Sequence, residues 1–87
     1  VWGELWSRKG LPLRTRSLIN VALLTALKCG HELQTHIRAA RNNGCTKEEI
    51  REVLLQCGVY AGIPVMRDAI RHAQTVFAEE GKKRGRR

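Results

Sequence analysis

The sequence is short of aromatic residues and of uninterrupted apolar runs. Aromatics make up 5% of its 87 residues, and the longest apolar stretch, residues 18–27, is broken by Asn20 and Thr25. A membrane span needs about 20 apolar residues, so this stretch predicts a buried helix and no membrane partner. The first residues also lack the basic start and long apolar core of a signal peptide. An apolar share of 43% with 28% charged residues excludes a disordered or a collagen-like chain.

The excess of positive charge is concentrated at one end of the chain. Five of the 16 Lys and Arg residues fall within residues 82–87, which leaves 11 against eight acidic residues in residues 1–81. We therefore predict a single domain over residues 1–80 and a basic, disordered tail over residues 81–87. A solvated end is the simpler interpretation of the tail, and weak contact with nucleic-acid phosphates is the alternative.

The cysteines do not form a recognisable framework. Cys29, Cys45 and Cys57 are odd in number and have no CxxC spacing. Without a secretory signal, this pattern predicts reduced thiols in a cytoplasmic protein.

Hydrophobic periodicity predicts an all-α fold with four main helices. The first follows Pro12 and runs to about residue 28, the second covers residues 31–42 and ends at a glycine cap, the third begins after a capping box at Thr46, and the fourth extends past Phe77. We expect residues 1–13 to be irregular and the chain to fray from Glu79 onward. The first helix is apolar on every side, which indicates that it packs against another subunit.

The densest group of reactive side chains lies around the start of the second helix. Cys29, Glu32 and His36 are three and four residues apart, so they share one face if the helix extends back to Cys29. A carboxylate and an imidazole one turn apart suit proton transfer, and an ordinary surface pair is the alternative. His31 and His36 lie about 140° apart around a helix and miss the spacing of a helical zinc motif, so we expect no metal.

Arginines before the first main helix form a second group. Arg8, Arg14 and Arg16 oppose the helix dipole there, which either serves to bind an anion or is offset by pairing with acidic residues. The acidic candidates are Glu4, Glu48, Glu49 and Glu52.

Several strings resemble the decarboxylase branch of the carboxymuconolactone decarboxylase family, and they keep its order and spacing up to about residue 77. They are WGELWSR at residues 2–8, RTRSL at 14–18, EL at 32–33 with His36, NNG at 42–44, EEIREV at 48–53 and YAGIP at 60–64. The resemblance implies the alkylhydroperoxidase D-like helical fold, with a central helical hairpin and a homo-oligomer, commonly a trimer or hexamer. It also implies that an N-terminal segment of a few dozen residues is missing here.

The resemblance further implies an activity. It is the decarboxylation of γ-carboxymuconolactone to β-ketoadipate enol-lactone in protocatechuate catabolism, which needs no cofactor because the lactone accepts the electrons itself. The roles that we assign by hypothesis are carboxylate binding by Arg16 and Arg8, proton delivery by His36 oriented by Glu32, and hydrogen bonding to the lactone oxygen by Ser17 or Tyr60.

Two alternatives stay open. The other branch of the family resembles alkylhydroperoxidase D, a thiol peroxidase with two cysteines on one helix. Cys29 matches its first cysteine, whereas Glu32 replaces the second and Ser17 stands where an upstream glutamate is expected, so disulfide cycling lacks its resolving thiol. The second alternative is a catalytically inactive, oligomeric binding module.

Overall fold

The chain is a bundle of helices. The computed structural model describes residues 2–85, and no strand occurs among them. The helices are α1 (Trp2–Ser7), α2 (Leu13–Ala26), α3 (Gly30–Asn42), α4 (Lys47–Ala61) and α5 (Ile63–Gly85). The all-α prediction is confirmed, and α2 to α5 are the four main helices expected from the sequence.

Two helical hairpins pack against each other. The α2–α3 hairpin lies on the α4–α5 hairpin, with α2 against α4 and α3 against α5. The core between them is formed by small and branched side chains contributed by all four helices and by one loop. These core residues are Val21, Leu33, Ile37, Ala40, Cys45, Ile50, Leu54, Ala69, Ala73 and Val76. Burial of these apolar groups is the main force that holds the hairpins together.

Local signals in the sequence explain several helix ends. Thr46 caps α4 as predicted: its hydroxyl accepts from the backbone N–H of Glu49 at 3.1 Å, and the Glu49 carboxylate accepts from the N–H of Thr46 at 2.8 Å. Gly44, just beyond α3, has φ of 92°, as its predicted role in a left-handed cap requires. Gly62, between α4 and α5, has φ of 105°, which allows the chain to reverse within one residue.

The N-terminal segment differs from its prediction. We expected residues 1–13 to be irregular, but Trp2–Ser7 form α1. The negative charge of Glu4 in its first turn interacts favourably with the positive end of the helix dipole. The Ser7 hydroxyl donates a hydrogen bond to the backbone carbonyl oxygen of Glu4 at 3.1 Å. These local bonds outweigh the low helix propensity of Gly3.

The C-terminal segment also differs from its prediction. We expected fraying from Glu79 and disorder over residues 81–87, but α5 continues to Gly85. Arg38 and Arg41 of α3 bind the carboxylates of Glu79 and Glu80, each at 3.0 Å, and so anchor this end of α5 to the bundle. Residues 86–87 lie outside the described residues.

Candidate active site

Glu32 and His36 lie on one side of α3, one turn apart. Glu32 is exposed and His36 is half-buried, while the neighbouring Leu33 and Ile37 point into the core. Within the described structure the carboxylate and the imidazole are not hydrogen-bonded to each other. The helix therefore places Glu32 and His36 on one face, whereas Cys29, which the sequence allowed on the same face, precedes α3 with a non-helical φ of −97° and ψ of 67°.

The border between α2 and α3 is fixed by one hydrogen bond. The Asn43 side-chain amide donates to the Ser17 hydroxyl oxygen at 2.9 Å. Asn43 is seven residues, or about two turns, beyond His36, so both residues occupy the same strip of α3. Because Asn43 reaches α2, this strip runs along the α2–α3 border, and His36 lies on it about 10 Å from Asn43 along the helix axis.

Arg16 lies at the Asn43 end of this border. It directly precedes Ser17, and its side chain is partly buried beside the loop that contains Gly10. Its Nε atom is shielded from solvent and has no hydrogen-bond partner in the described part of the chain. A buried N–H without a partner costs free energy, and binding of an anion to this guanidinium would offset that cost.

Arg14 behaves differently from Arg16. It forms an ion pair with Glu49 of α4, one of the acidic partners considered from the sequence. The two alternatives for the arginine group thus apply to different residues, because Arg14 is neutralised within the fold and Arg16 is not.

The structure places the other proposed substrate contacts away from one another. Ser17 is 2% exposed, and its hydroxyl is used by Asn43. Arg8 is exposed just after α1. Tyr60 is 86% exposed and lines a mainly apolar groove of about 420 Å³ between α2 and α4. Helical geometry therefore places Ser17 and His36 along one border, with Arg16 next to Ser17, whereas Tyr60 lies in the groove between α2 and α4.

The cysteines occupy three separate environments. Cys29 is at the N-cap position of α3 and lines a cavity of about 210 Å³ together with Thr25 and Asp68. Cys45 and Cys57 donate weakly to backbone carbonyls, and burial raises the pKa of both thiols. No second cysteine lies on α3, and all three thiols are free. The arrangement contains no pair suited to disulfide exchange near Cys29.

Two further structural findings concern the described residues alone. Among residues 2–85, no set of three or more His, Cys, Asp or Glu side chains is grouped closely enough to hold a metal ion. In the same part of the chain, no helix combines the length and apolarity that crossing a membrane requires.

Sequence reasoning missed two contributors to this region. Asn43 was identified only as part of a helix end, although its side chain sets the register of the α2–α3 border. His72 of α5 was not singled out, yet it contacts the start of α3. The available signal for His72 was Gly30, a glycine at the beginning of a helix where close approach of another group is common.

Comparisons with known proteins identify the family of this fold. Residues 1–75 match the model of the carboxymuconolactone decarboxylase family. The chain is 50% identical over 80 residues to 4-carboxymuconolactone decarboxylase of Acinetobacter baylyi, an alignment that covers 92% of this chain and 60% of that protein. It is 46% identical over 63 residues to nitrosuccinic acid decarboxylase of Metarhizium robertsii, covering 72% of this chain and 44% of the relative.

A third relative is an uncharacterised 15.0 kDa protein of Paracoccus denitrificans, 36% identical over 91% of this chain and 60% of the relative's length. The chain thus spans between two fifths and three fifths of the relatives that it matches. The family match extends over most of its length, including all of α2, α3 and α4. This chain belongs to the carboxymuconolactone decarboxylase family.

Proposed function

We propose that this chain is the catalytic part of a carboxy-lyase that removes CO2 from γ-carboxymuconolactone or a closely related carboxylated lactone. The observation that carries the proposal is the 50% identity to a relative named 4-carboxymuconolactone decarboxylase, which extends over α2 and α3 and so over the whole α2–α3 border. The presence of an unpartnered guanidinium and a half-buried imidazole on that border supports it.

The proposed reaction uses the substrate as its own electron acceptor. The bond between the ring carbon and the departing carboxylate breaks, and its electron pair passes through the conjugated double bond to the lactone carbonyl oxygen. CO2 leaves, and a proton added to ring carbon yields β-ketoadipate enol-lactone. The protein has to hold a dianion, stabilise the oxyanion that develops and supply one proton.

The residues of the α2–α3 border can divide these tasks. Arg16 is our proposed carboxylate anchor, because its Nε–H lacks a partner in the described structure. His36 is the proposed proton donor, and Glu32, one turn before it, is the proposed orienting carboxylate. Ser17 is buried, so we propose that it acts by fixing the α2–α3 register through Asn43.

The two remaining candidate substrate-binding residues need a further protein segment or subunit to form a binding site. Arg8 is exposed just after α1 and Tyr60 lies in the α2–α4 groove, and we propose that another copy of the chain or another segment completes their contacts with the substrate. The alignment covers only 60% of the first relative, which leaves room for such a segment.

A homo-oligomer, a trimer or hexamer, is our proposal for the assembly. Apolar side chains remain exposed on α2, just after it and on α4: Ile19, Leu23, Leu27, Leu55 and Val59. Ile19 and Leu23 line the groove between α2 and α4 together with Tyr60, and exposed apolar surface of this kind is typical of protein interfaces. The free thiols support a cytoplasmic location.

The substrate proposal allows close relatives of the lactone. In nitrosuccinic acid, which gives the second decarboxylase its name, a nitro group can accept the electrons that departing CO2 leaves behind. We infer that what the two acids share is a carboxylate on a carbon linked, directly or through a double bond, to an electron-accepting group, and that this chain requires the same arrangement.

A direct assay tests the function. The chain is incubated with γ-carboxymuconolactone and a metal chelator in the absence of a thiol. The released CO2 and the remaining γ-carboxymuconolactone are both measured. We expect equal amounts of CO2 formed and lactone consumed. A folded sample that forms no CO2 contradicts the proposed substrate, and activity restored only by an added metal contradicts the proposed mechanism.

A further inference from the structure

The start of α3 has no cap of its own. Cys29 occupies the N-cap position, and its side chain makes no capping hydrogen bond. At the equivalent position of α4, Thr46 forms a full capping box. A helix end without a cap leaves backbone N–H groups unsatisfied and tends to fray, unless another part of the molecule holds it.

The imidazole of His72 packs against this helix end. It lies directly on Gly30, the first residue of α3: a Cβ placed on Gly30 comes within 2.3 Å of His72 Nε2 and 2.8 Å of Cε1. Real Cβ atoms essentially never approach another atom so closely, so a side chain at position 30 requires the ring to move. Gly30 is therefore the residue that allows α5 to approach the start of α3.

A directed chain of hydrogen bonds fixes the ring on this glycine. Arg38, anchored by Glu79, donates from Nη2 to Gln34 Oε1 at 3.4 Å, which turns the Gln34 amide nitrogen toward His72. Gln34 Nε2 and His72 Nδ1 are 2.7 Å apart. Since the amide nitrogen is a donor only, Nδ1 is the acceptor, and the proton of neutral His72 is on Nε2, 3.6 Å from the Asp68 carboxylate.

These contacts fix the part of α3 that carries the proposed proton-transfer residues. Glu32 is in the first turn of α3 and His36 in the second. Gln34 is between them in sequence but projects toward α5, whereas His36 is on the strip that borders α2. A shift of the first turns of α3 therefore changes the direction of the His36 imidazole, although His72 does not lie on the α2–α3 border.

We propose that His72 is a positioning residue, which packs on the uncapped start of α3, binds Gln34 and thereby orients Glu32 and His36. This proposal rests on the proposed function for its catalytic consequence, whereas its structural part stands on the Gly30 and Gln34 contacts alone. A displacement of about 1 Å at a reacting group can reduce a rate by roughly 100-fold, so a partial loss of order is expected to be measurable in turnover.

Amide hydrogen exchange followed by NMR tests the structural part. His72→Leu removes the hydrogen-bond acceptor, His72→Gln restores an acceptor for Gln34, and His31→Leu is the matched control at an exposed histidine of α3. In His72→Leu we expect about tenfold faster exchange in the first two turns of α3 and unchanged exchange in the capped first turn of α4. His72→Gln and His31→Leu should resemble the wild type.

Steady-state kinetics tests the catalytic part. In His72→Leu we expect kcat to fall about tenfold with KM changed less than about twofold, because Arg16 lies at the other end of the border. His72→Gln should recover most of the loss. A merely structural role for His72 lowers the amount of folded protein without separating kcat from KM, and it accelerates exchange throughout the bundle.

The outcomes are distinguishable. Local fast exchange together with a rescued kcat loss supports the proposal, and a folded His72→Leu with unchanged exchange at the start of α3 overturns it. If the wild type does not turn over the lactone, the proposed function fails and the exchange result alone decides the positioning role. If His72→Leu does not fold, Gln34→Met breaks the same contact from the α3 side, and the same two results apply to it.

Discussion

Asn43 at the end of α3 donates from its side-chain amide to the hydroxyl oxygen of Ser17 near the start of α2, over 2.9 Å. The two residues are 26 positions apart in the chain, so this bond is a tertiary contact, and it helps to set the position of α3 relative to α2. Arg16, beside Ser17, and His36, on the same strip as Asn43, take their relative positions from it.

Removal of this bond should destabilise the fold. Asn43→Ala leaves the Ser17 hydroxyl buried without its donor, and loss of a buried hydrogen-bond partner costs about 1–3 kcal/mol. Urea denaturation should show a lower midpoint with an unchanged slope. Asn42→Ala, at the exposed neighbour on the same helix, serves as the control and should change the midpoint much less. Equal midpoints for the two variants would remove the Asn43 contact from the account.

Arg16 and Arg14 form a matched pair for testing anion binding. Arg16→Ala should raise KM for the lactone about 10- to 100-fold with a smaller change in kcat, because the guanidinium holds a carboxylate in both the bound and the transition state. Arg14→Ala loses its ion pair with Glu49 and should leave KM nearly unchanged. Steady-state kinetics of both variants checks this, and a larger KM effect at Arg14 would reverse the assignment.

Two carboxyl groups with lowered pKa values make the free energy of unfolding depend on pH. The backbone N–H of Thr46, and then Arg14, lower the pKa of Glu49, and Arg38 lowers the pKa of Glu79. A carboxyl whose pKa is lower in the folded state stabilises the fold above its unfolded pKa of about 4.3, and this contribution is lost as pH falls through the folded pKa. The free energy of unfolding should therefore fall with pH below about 4.5.

Substitution of Glu49 measures how much this residue contributes to the pH dependence of the free energy of unfolding. In Glu49→Gln the fall in unfolding free energy between about pH 5 and pH 3 should be shallower than in the wild type. Glu52→Gln is the control on the same helix, because Glu52 makes no ion pair within residues 2–85. Parallel pH profiles for Glu49→Gln and the wild type would show that Glu49 does not contribute.

Cys29 distinguishes the decarboxylase from the thiol peroxidase alternative. Cys29→Ser should retain most of the lactone turnover, because the proposed reaction uses no thiol. Peroxide consumption with a dithiol reductant should be slow in both proteins, since α3 carries no resolving cysteine. Rapid peroxide reduction that disappears in Cys29→Ser would favour the peroxidase instead.

Local signals in the sequence were sufficient to predict most of the fold. The capping box at Thr46, the glycine after α3 and the apolar spacing of α3 and α4 each depend on residues within one or two turns, and the structure agrees with each. The end of α5 was mispredicted because its order comes from Arg38 and Arg41, about 40 residues earlier in the chain.

The candidate site could be predicted only in part for the same reason. Helical spacing correctly placed Glu32 and His36 on one side of α3. The sequence did not show that Arg16 keeps an unpartnered Nε while Arg14 is paired, nor that His72 rests on Gly30, because both depend on how the hairpins dock. The hydrophobic periodicity of a sequence contains little information about side-chain contacts between helices that are far apart in the chain.

The most direct test of the central claim is the kcat of His36→Ala on γ-carboxymuconolactone, measured beside His31→Ala on folded samples. If His36 returns the proton to ring carbon, kcat should fall about 10²- to 10⁴-fold in His36→Ala and stay near the wild-type value in His31→Ala. Unchanged turnover in His36→Ala would contradict the account, because no other imidazole lies on the described α2–α3 border.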